Sequence, residues 1–395
     1  MRLFSSASLF VAIFVLAACS GSPKSTTQTG GATTTTNPPQ GNNVVAYVFT
    51  TDSLTNTASE FALLNSGRLQ PTAVAVPDAL PVPTAHGVVF PVPGHSGGLQ
   101  SYILGSDGSL QAAGSPATFP VNQFFTLASD TSFVYAASDE GVSGFQDQES
   151  GLTPLAATQQ TVKAPCTAAQ EAAAQCYYSA AMALGTSTAF LLEQATPVAG
   201  QPNGPQLSAF TQVQGRLTAE QSVAQALAGS IFAPTPDGRF IYVVDLASSR
   251  IFRYAANGNG AFATNILANG QQVSDGFVQL LVSADGAFLL AAVSDQATNS
   301  NIRVFQIDSA SGDLTEVSGS PFPTGETAFT QMALDPTGHY LLAAHAVCMN
   351  SGSSNCTIPG KLVAMSISST GNLSLTSDVA DGVYPAKVTA APISQ

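Results

Sequence analysis

A seven-bladed β-propeller, all-β and built of four-stranded antiparallel blades, is the fold that three features of this chain predict. One phrase recurs seven times between residues 43 and 388. A short apolar strand ends in a polar residue, then come a second β-rich run and a Gly-rich turn followed by Leu or Phe. The turn anchors are Leu69, Leu110, Leu152, Leu217, Phe262, Leu314 and Leu373, spaced 41, 42, 65, 45, 52 and 59 residues apart. A four-stranded blade takes roughly 40–50 residues, so the longer gaps read as loop insertions. The third feature is a complementary pair of ends. The first repeat begins with a second-strand phrase at residues 44–49, and the chain ends with an orphan strand at 386–390. If that last strand completes the first blade, the ring closes on seven blades with no free inner edge.

The fifth repeat shows how a blade is written. Residues 229–235 form its inner strand, and Pro236-Asp237-Gly238-Arg239 carries the Asp-Gly chemistry of a tight hairpin. Residues 240–244 are the second strand, ending at Asp245, and 250–254 alternate with a period of two as the third. The run Asn257 to Phe262 turns into the outer strand. The first turn returns as Ala284-Asp285-Gly286 and Pro336-Thr337-Gly338 in the next two repeats. A helical period is confined to the Ala- and Gln-rich stretch 166–183, where a short helix is expected within an insertion.

Residues 1–18 read as a lipoprotein signal peptide. Arg2 supplies the positive start, an apolar run follows that is too short to span a bilayer, and Leu16-Ala17-Ala18-Cys19 stands directly after it. The last four residues resemble the lipobox of bacterial lipoproteins, which implies acylation of Cys19. Ser20 in the next position implies sorting to the outer membrane. Residues 19–43 are then a lipidated cysteine and a disordered tether, with Lys24 as its one charge and no apolar side chains to offset ordering entropy. The propeller occupies 44–395.

The formal net charge is −13, yet only 9% of residues are charged. An acidic, sparsely charged surface excludes nucleic acid as a partner and a face that docks on anionic lipid. Membrane attachment is therefore expected through the lipid alone. The absence of Trp weighs against a carbohydrate-stacking platform. After Cys19 the cysteines fall into two local pairs, Cys166 with Cys176 and Cys348 with Cys356, each inside a longer insertion. In an exported protein an even count reads as disulfides, and local pairing closes each loop on itself, although four cysteines allow three connectivities. No C-x-x-C and no His in register points to zinc, so no metal is assigned.

The phrase at residues 240–245, its partner at 250–254, the Gly-x-Leu turns and Gly319-Ser320-Pro321 together resemble the lactonase-like (YVTN-type) seven-bladed β-propellers. The resemblance covers about residues 43–390 and works at the level of the repeat. It implies phosphogluconolactonase-like enzymes and exported propellers without an assigned reaction. Most second strands here lack the full Tyr-Val-x-Asn signature, and no motif carries catalytic residues over one by one.

Aligned second strands end at or near Asp52, His95, Asp139, Glu193, Asp245, Asp295 and His345. All seven would stand on the loops between second and third strands, on one face of the ring. Such a rim has the chemistry to hold a divalent cation, position a water or supply a general acid and base. Exposed hairpins also collect Asp, Glu and His for turn chemistry alone. His86 and His339 fall on the opposite face as turn residues. Gly258-x-Gly260 has no following helix and Ser143 no nucleophile elbow, so phosphate-loop and serine-hydrolase readings fail. Cations for a central pocket are few: Lys163, Arg250, Arg253, Arg303, Lys361 and Lys387.

Two functions are consistent with these residues. One is a lipid-anchored, monomeric envelope module that binds an envelope protein or a small polar ligand and needs no cofactor. The other is a lactonase-like hydrolase of a sugar lactone, with a neutral lactone favoured by the shortage of cations. The sequence does not decide whether the protein is an enzyme.

Overall fold

The computed structural model describes residues 43–92, 98–119, 124–130, 132–138, 141–155, 178–184, 188–195, 206–224, 231–245, 249–255, 271–272, 276–294, 300–346 and 359–393. Cys19, both expected cysteine pairs, His95, Asp139 and Asp295 lie outside them, as does the anchor Phe262.

Seven antiparallel sheets make the ring, each ordered inner, second, third and outer. Blade 1 joins the two ends of the chain: its inner strand is Pro385–Pro392, paired with Val44–Asp52, then Thr57–Leu64 and Leu69–Pro71. Tyr47 lies opposite Ala391 and Thr51 opposite Lys387, so the C-terminal strand closes the ring as the unpaired ends of the sequence require. The other inner strands are Val82–Pro83, Phe124–Ser129, Tyr178–Leu184, Phe232–Pro234, Gly276–Val282 and Phe329–Leu334. Successive inner strands touch one another around the whole circle. The outer strands start at or one residue before Leu69, Leu110, Leu152, Leu217, Leu314 and Leu373.

One expectation fails locally. Tyr178–Leu184, which overlaps the end of the stretch 166–183 expected to be helical, forms the inner strand of blade 4, paired with Thr188–Ala195. Alanine and glutamine carry helix propensity, but the strand neighbours it on both sides of the ring, and pairing overrides a weak local preference.

The core lies between blades. Tyr242, Val244 and Ile251 of blade 5 pack with Leu289, Ala291 and Phe305 of blade 6. Leu342, Ala344, Leu362 and Ala364 of blade 7 meet Ala46, Val48, Leu63, Val388 and Ala390 of blade 1 in the same way. Each fully buried Val, Leu, Ile or Phe contributes about 1.5–3 kcal/mol, so every blade is stabilised by both neighbours.

A polar joint repeats beside this core. Tyr242 donates its hydroxyl to the Gly312 carbonyl of the next blade at 2.8 Å, Tyr47 to Ser106 at 3.0 Å and Tyr340 to Asn65 at 2.6 Å. The last of these ties blade 7 to blade 1. Gly312 has φ +73°, and a Cβ there would stand 2.7 Å from the Phe240 ring. The Gly-rich turn of blade 6 thus serves the neighbouring blade, as Gly67 does beside Tyr340 and Gly108 beside Tyr47: only glycine combines such a φ with so close an aromatic.

Candidate functional site

Chain direction sets the two faces. Turns between second and third strands share one face with the crossovers from an outer strand to the next inner strand. First-to-second and third-to-outer turns share the other.

Asp52 ends the second strand of blade 1 on the first of these faces, and it is buried. Its Oδ1 accepts the N–H groups of Leu54 at 2.8 Å and Thr55 at 2.9 Å, closing the turn. Its Oδ2 accepts those of Val383 and of Tyr384, in the crossover that leads into the C-terminal strand. Burial pushes the carboxyl up, but these four N–H groups outweigh it and hold the pKa below the usual carboxylate range. Asp52 is a structural clasp.

His345, ending the second strand of blade 7, is wholly buried. Its Nδ1 donates to the Thr327 carbonyl at 3.1 Å, its ring meets Phe329 edge-on, and its Nε2 has no partner. Burial drives its pKa down to about 4, so the imidazole is neutral. Asp245 is half-buried and stands across from Arg250. Glu193 lies within Thr188–Ala195, opposite Ala180 and Gln206. Two of the expected rim residues are therefore built into blade seams, pointing away from a shared ligand. On the opposite face, His86 reaches across to the buried carboxylate of Asp147 at 2.9 Å, joining blades 2 and 3.

The inner strands hold what the rim lacks. In four of them the register slips by one residue near the start, at Phe124/Thr126, Phe277/Gln279, Phe329/Gln331 and Pro385/Lys387. These bulges make Thr126, Gln279, Gln331 and Lys387 equivalent positions at the mouth of the axis. Gln279 bonds both backbone groups of Met332 in the next inner strand, at 3.0 and 2.7 Å. Gln331 accepts the N–H of Val388 at 2.8 Å. Each glutamine thereby covers part of the open inner edge of the following blade.

Lys387 has no such occupation. It is the one charged residue on the seven inner strands described, and it makes no ion pair among the described residues. Val388, Ala390 and Ala391 beside it are buried, whereas Lys387 is exposed. Lys387 is thus an exposed residue on the strand nearest the axis. Protein atoms crowd the amine nonetheless, and desolvation alone lowers its pKa. Its backbone is held firmly: Thr330 donates to the Pro385 carbonyl at 2.7 Å, and Gln331 takes the N–H of Val388.

Three of the other candidate cations are spent on carboxylates, whereas Arg250 makes no ion pair with a described residue. Arg253 pairs with Asp313 at 3.0 Å, Arg303 with Glu316 at 2.8 Å, and Lys361 with Glu326 at 2.5 Å and Asp378 at 3.0 Å. Sequence reading placed Lys387 among six possible pocket cations without singling it out. Its signal was there: a lone charge inside the strand that closes the ring.

Residues 88–277 match the family model described as lactonase, 7-bladed β-propeller. No curated protein matches the chain by sequence. Among solved structures, a candidate 6-phosphogluconolactonase of Bacteroides uniformis is 17% identical, with a TM-score of 0.62 over 88% of this chain and 99% of its own. A second, from Bacteroides fragilis, is 15% identical with a TM-score of 0.61 over 89% and 99%. The periplasmic gluconolactonase of Pseudomonas aeruginosa is 17% identical, with a TM-score of 0.55 over 88% and 99%. With its seven closed blades and its inter-blade tyrosines, the chain is a seven-bladed β-propeller, and its residues 88–277 are similar to the lactonase propellers.

Proposed function

We propose that the protein hydrolyses a neutral sugar lactone at the mouth of the propeller axis. The observation that carries this reading is the unneutralised ammonium of Lys387, the one charge on the inner strands described, on a backbone clamped by Thr330 and Gln331 of the neighbouring inner strand. Water adds to the lactone carbonyl carbon, and the carbonyl oxygen becomes an oxyanion. Collapse breaks the ring C–O bond, the ring oxygen leaves as a hydroxyl, and the product is an open-chain hydroxy acid. A fixed cation in a crowded site favours the oxyanion over the uncharged ground state, which is the differential interaction that accelerates acyl transfer. Gln279 and Gln331 keep their amides on neighbouring backbone and so help shape the mouth.

The family match and the gluconolactonase named among the structural neighbours support this reading over a pure binding module. The ion pairs of Arg253, Arg303 and Lys361 leave few cations for a phosphate dianion and so support a neutral substrate. We place the enzyme in the cell envelope, tethered through Cys19.

Titration at constant pH of the acid released from glucono-δ-lactone tests the proposal. The wild type should exceed spontaneous hydrolysis, and Lys387→Met should lose roughly 100-fold in kcat/KM, the scale for removing one oxyanion partner. A wild-type rate equal to the spontaneous one, or full activity in a folded Lys387→Met variant, overturns it.

A further inference from the structure

We propose that the seam between blades 1 and 2 binds one hard divalent cation of calcium's kind, held by the carboxylates of Glu60 and Asp107. The site includes the third-to-outer turn of blade 2, on the face opposite Lys387, and it is independent of lactone turnover.

The blades themselves supply the comparison. Glu60 is the fourth residue of the third strand Thr57–Leu64. In the third strands Arg250–Ala255 and Ser300–Ile307 the fourth residues are Arg253 and Arg303. Each arginine meets a carboxylate: Arg253 that of Asp313, in the turn of the next blade, at 3.0 Å, and Arg303 that of Glu316 at 2.8 Å. Blade 1 puts a carboxylate in this seat, and the charge that acts on it from the turn of blade 2 is Asp107, of the same sign. The remaining blades place Ser101, Gly144, Ala209 and Ala364 there, so the acid is peculiar to blade 1.

Packing leaves that carboxylate incomplete. Glu60 is 3% exposed, and its Oε1 accepts the Thr72 hydroxyl at 2.9 Å. Its Oε2 is buried without a hydrogen-bond partner among the described residues. A buried carboxylate oxygen with nothing opposite it is costly, and a second carboxylate nearby adds to the cost unless a cation joins them. Gly108 lets the turn come close: at φ +86°, a Cβ there would stand 2.6 Å from Oε1 of Glu60 and 2.7 Å from the Tyr47 ring. Tyr47 donates its hydroxyl to the Ser106 carbonyl at 3.0 Å, which brings two more oxygens to the same turn. Asp107 is exposed, so an ion reaches the turn from solvent.

Donor chemistry selects the ion. Carboxylate, carbonyl and hydroxyl oxygens suit a hard cation, and the seam supplies no imidazole or thiolate from the residues named. Calcium accepts the irregular geometry of a turn against a strand, whereas magnesium demands a near-ideal octahedron. Two carboxylates also match the charge of a divalent ion. With water completing the shell, the affinity belongs to the range of extracellular modules, roughly 0.1–1 mM.

Thermal unfolding of the chelator-treated protein in calcium chloride, against magnesium chloride at the same concentration of about 10 mM, tests this. Calcium should raise the melting midpoint by roughly 2–4 °C over magnesium. Glu60→Gln should melt cooperatively and lose that difference. Asp107→Asn should weaken calcium binding roughly tenfold in calorimetric titration, through the loss of one charged ligand. Asp237→Asn, in a blade 5 turn where the carboxylate is paired with Arg239, should keep the calcium shift. Equal wild-type midpoints in the two salts, a calcium shift kept in Glu60→Gln, or unchanged binding in Asp107→Asn overturns the proposal.

Discussion

The carboxylate of Asp52 accepts the backbone N–H of Tyr384 at 2.7 Å, across 332 residues of chain. Ser53 adds a second strap by donating its own N–H to the Tyr384 carbonyl at 3.1 Å. Three residues beyond Tyr384 stands Lys387, so the clasp that closes the ring also sets the strand that carries the axial cation. Gly382 fits the arrangement closely, since a Cβ there would lie 2.3 Å from the Asp52 carboxylate.

Removing that clasp should be costly. Asp52→Ala leaves four N–H groups without their acceptor, two of them in the crossover to the C-terminal strand. We expect a loss of roughly 3 kcal/mol, the scale for a buried charged acceptor shared by several donors. Denaturant unfolding checks this. The same clasp is acid-sensitive: its pKa is depressed, so its stabilisation is present above the unfolded carboxylate pKa and is lost as the pH falls through the folded one. Asp52→Ala should therefore unfold with a flatter acid limb than the wild type.

The glycine at the inter-blade joint gives a second test. Gly312→Ala adds a Cβ 2.7 Å from Phe240 and 2.8 Å from the Arg253 side chain, at φ +73°. Backbone strain of about 1–2 kcal/mol and overpacking of about 1–3 kcal/mol should combine to roughly 2–5 kcal/mol. Gly325 has a similar φ of +81° and nothing within 4 Å. Gly325→Ala should cost only the backbone part. Equal losses in the two variants would refute the packing role of the joint.

Two buried groups shape the pH dependence in opposite senses. His345 titrates near 4 when folded and near 6.5 when unfolded, so acidification across that interval removes up to about 3 kcal/mol. Burial raises Glu60 from 4.5 to about 7, so raising the pH from 4.5 to 7 also removes up to about 3 kcal/mol. Between pH 4.5 and 6.5 the two slopes cancel, and each dominates on its own side. Relative to wild type, Glu60→Gln should gain about 3 kcal/mol between pH 4.5 and 7. An unchanged difference across that range would show that Glu60 stays ionised.

Closure predicts an asymmetry between the chain ends. Deleting residues 385–395 removes the strand paired along Val44–Asp52 and uncovers Ala46, Val48 and Leu362. Deleting the tether at 20–43 should leave the melting midpoint of the propeller unchanged. Calorimetry should show a lowered or broadened transition for the first truncation only.

The seven units, their order and the closing strand were legible because they are local patterns: alternation within strands, Asp-Gly hairpins and Gly-rich turns recur at blade spacing. Leu314 and Leu373 marked outer strands before any contact was known. The helical reading of 178–183 failed because composition reports propensity, whereas strand pairing there is decided by Thr188–Ala195 and the neighbouring inner strands.

The site was harder to read. Asp52 and His345 were singled out correctly as ends of second strands, but where a side chain points depends on the seam beside it. Strand alternation turns Asp52 to the crossover at 383–384, and it buries His345 against Phe329. Lys387 stood in plain view as one cation among several. By itself the sequence determined the architecture, because repeat period, turn chemistry and complementary chain ends are encoded within short stretches. Only the tertiary structure decided which charges are free. That depends on partners hundreds of residues apart, and no local pattern records that Arg253, Arg303 and Lys361 are neutralised while Lys387 is not.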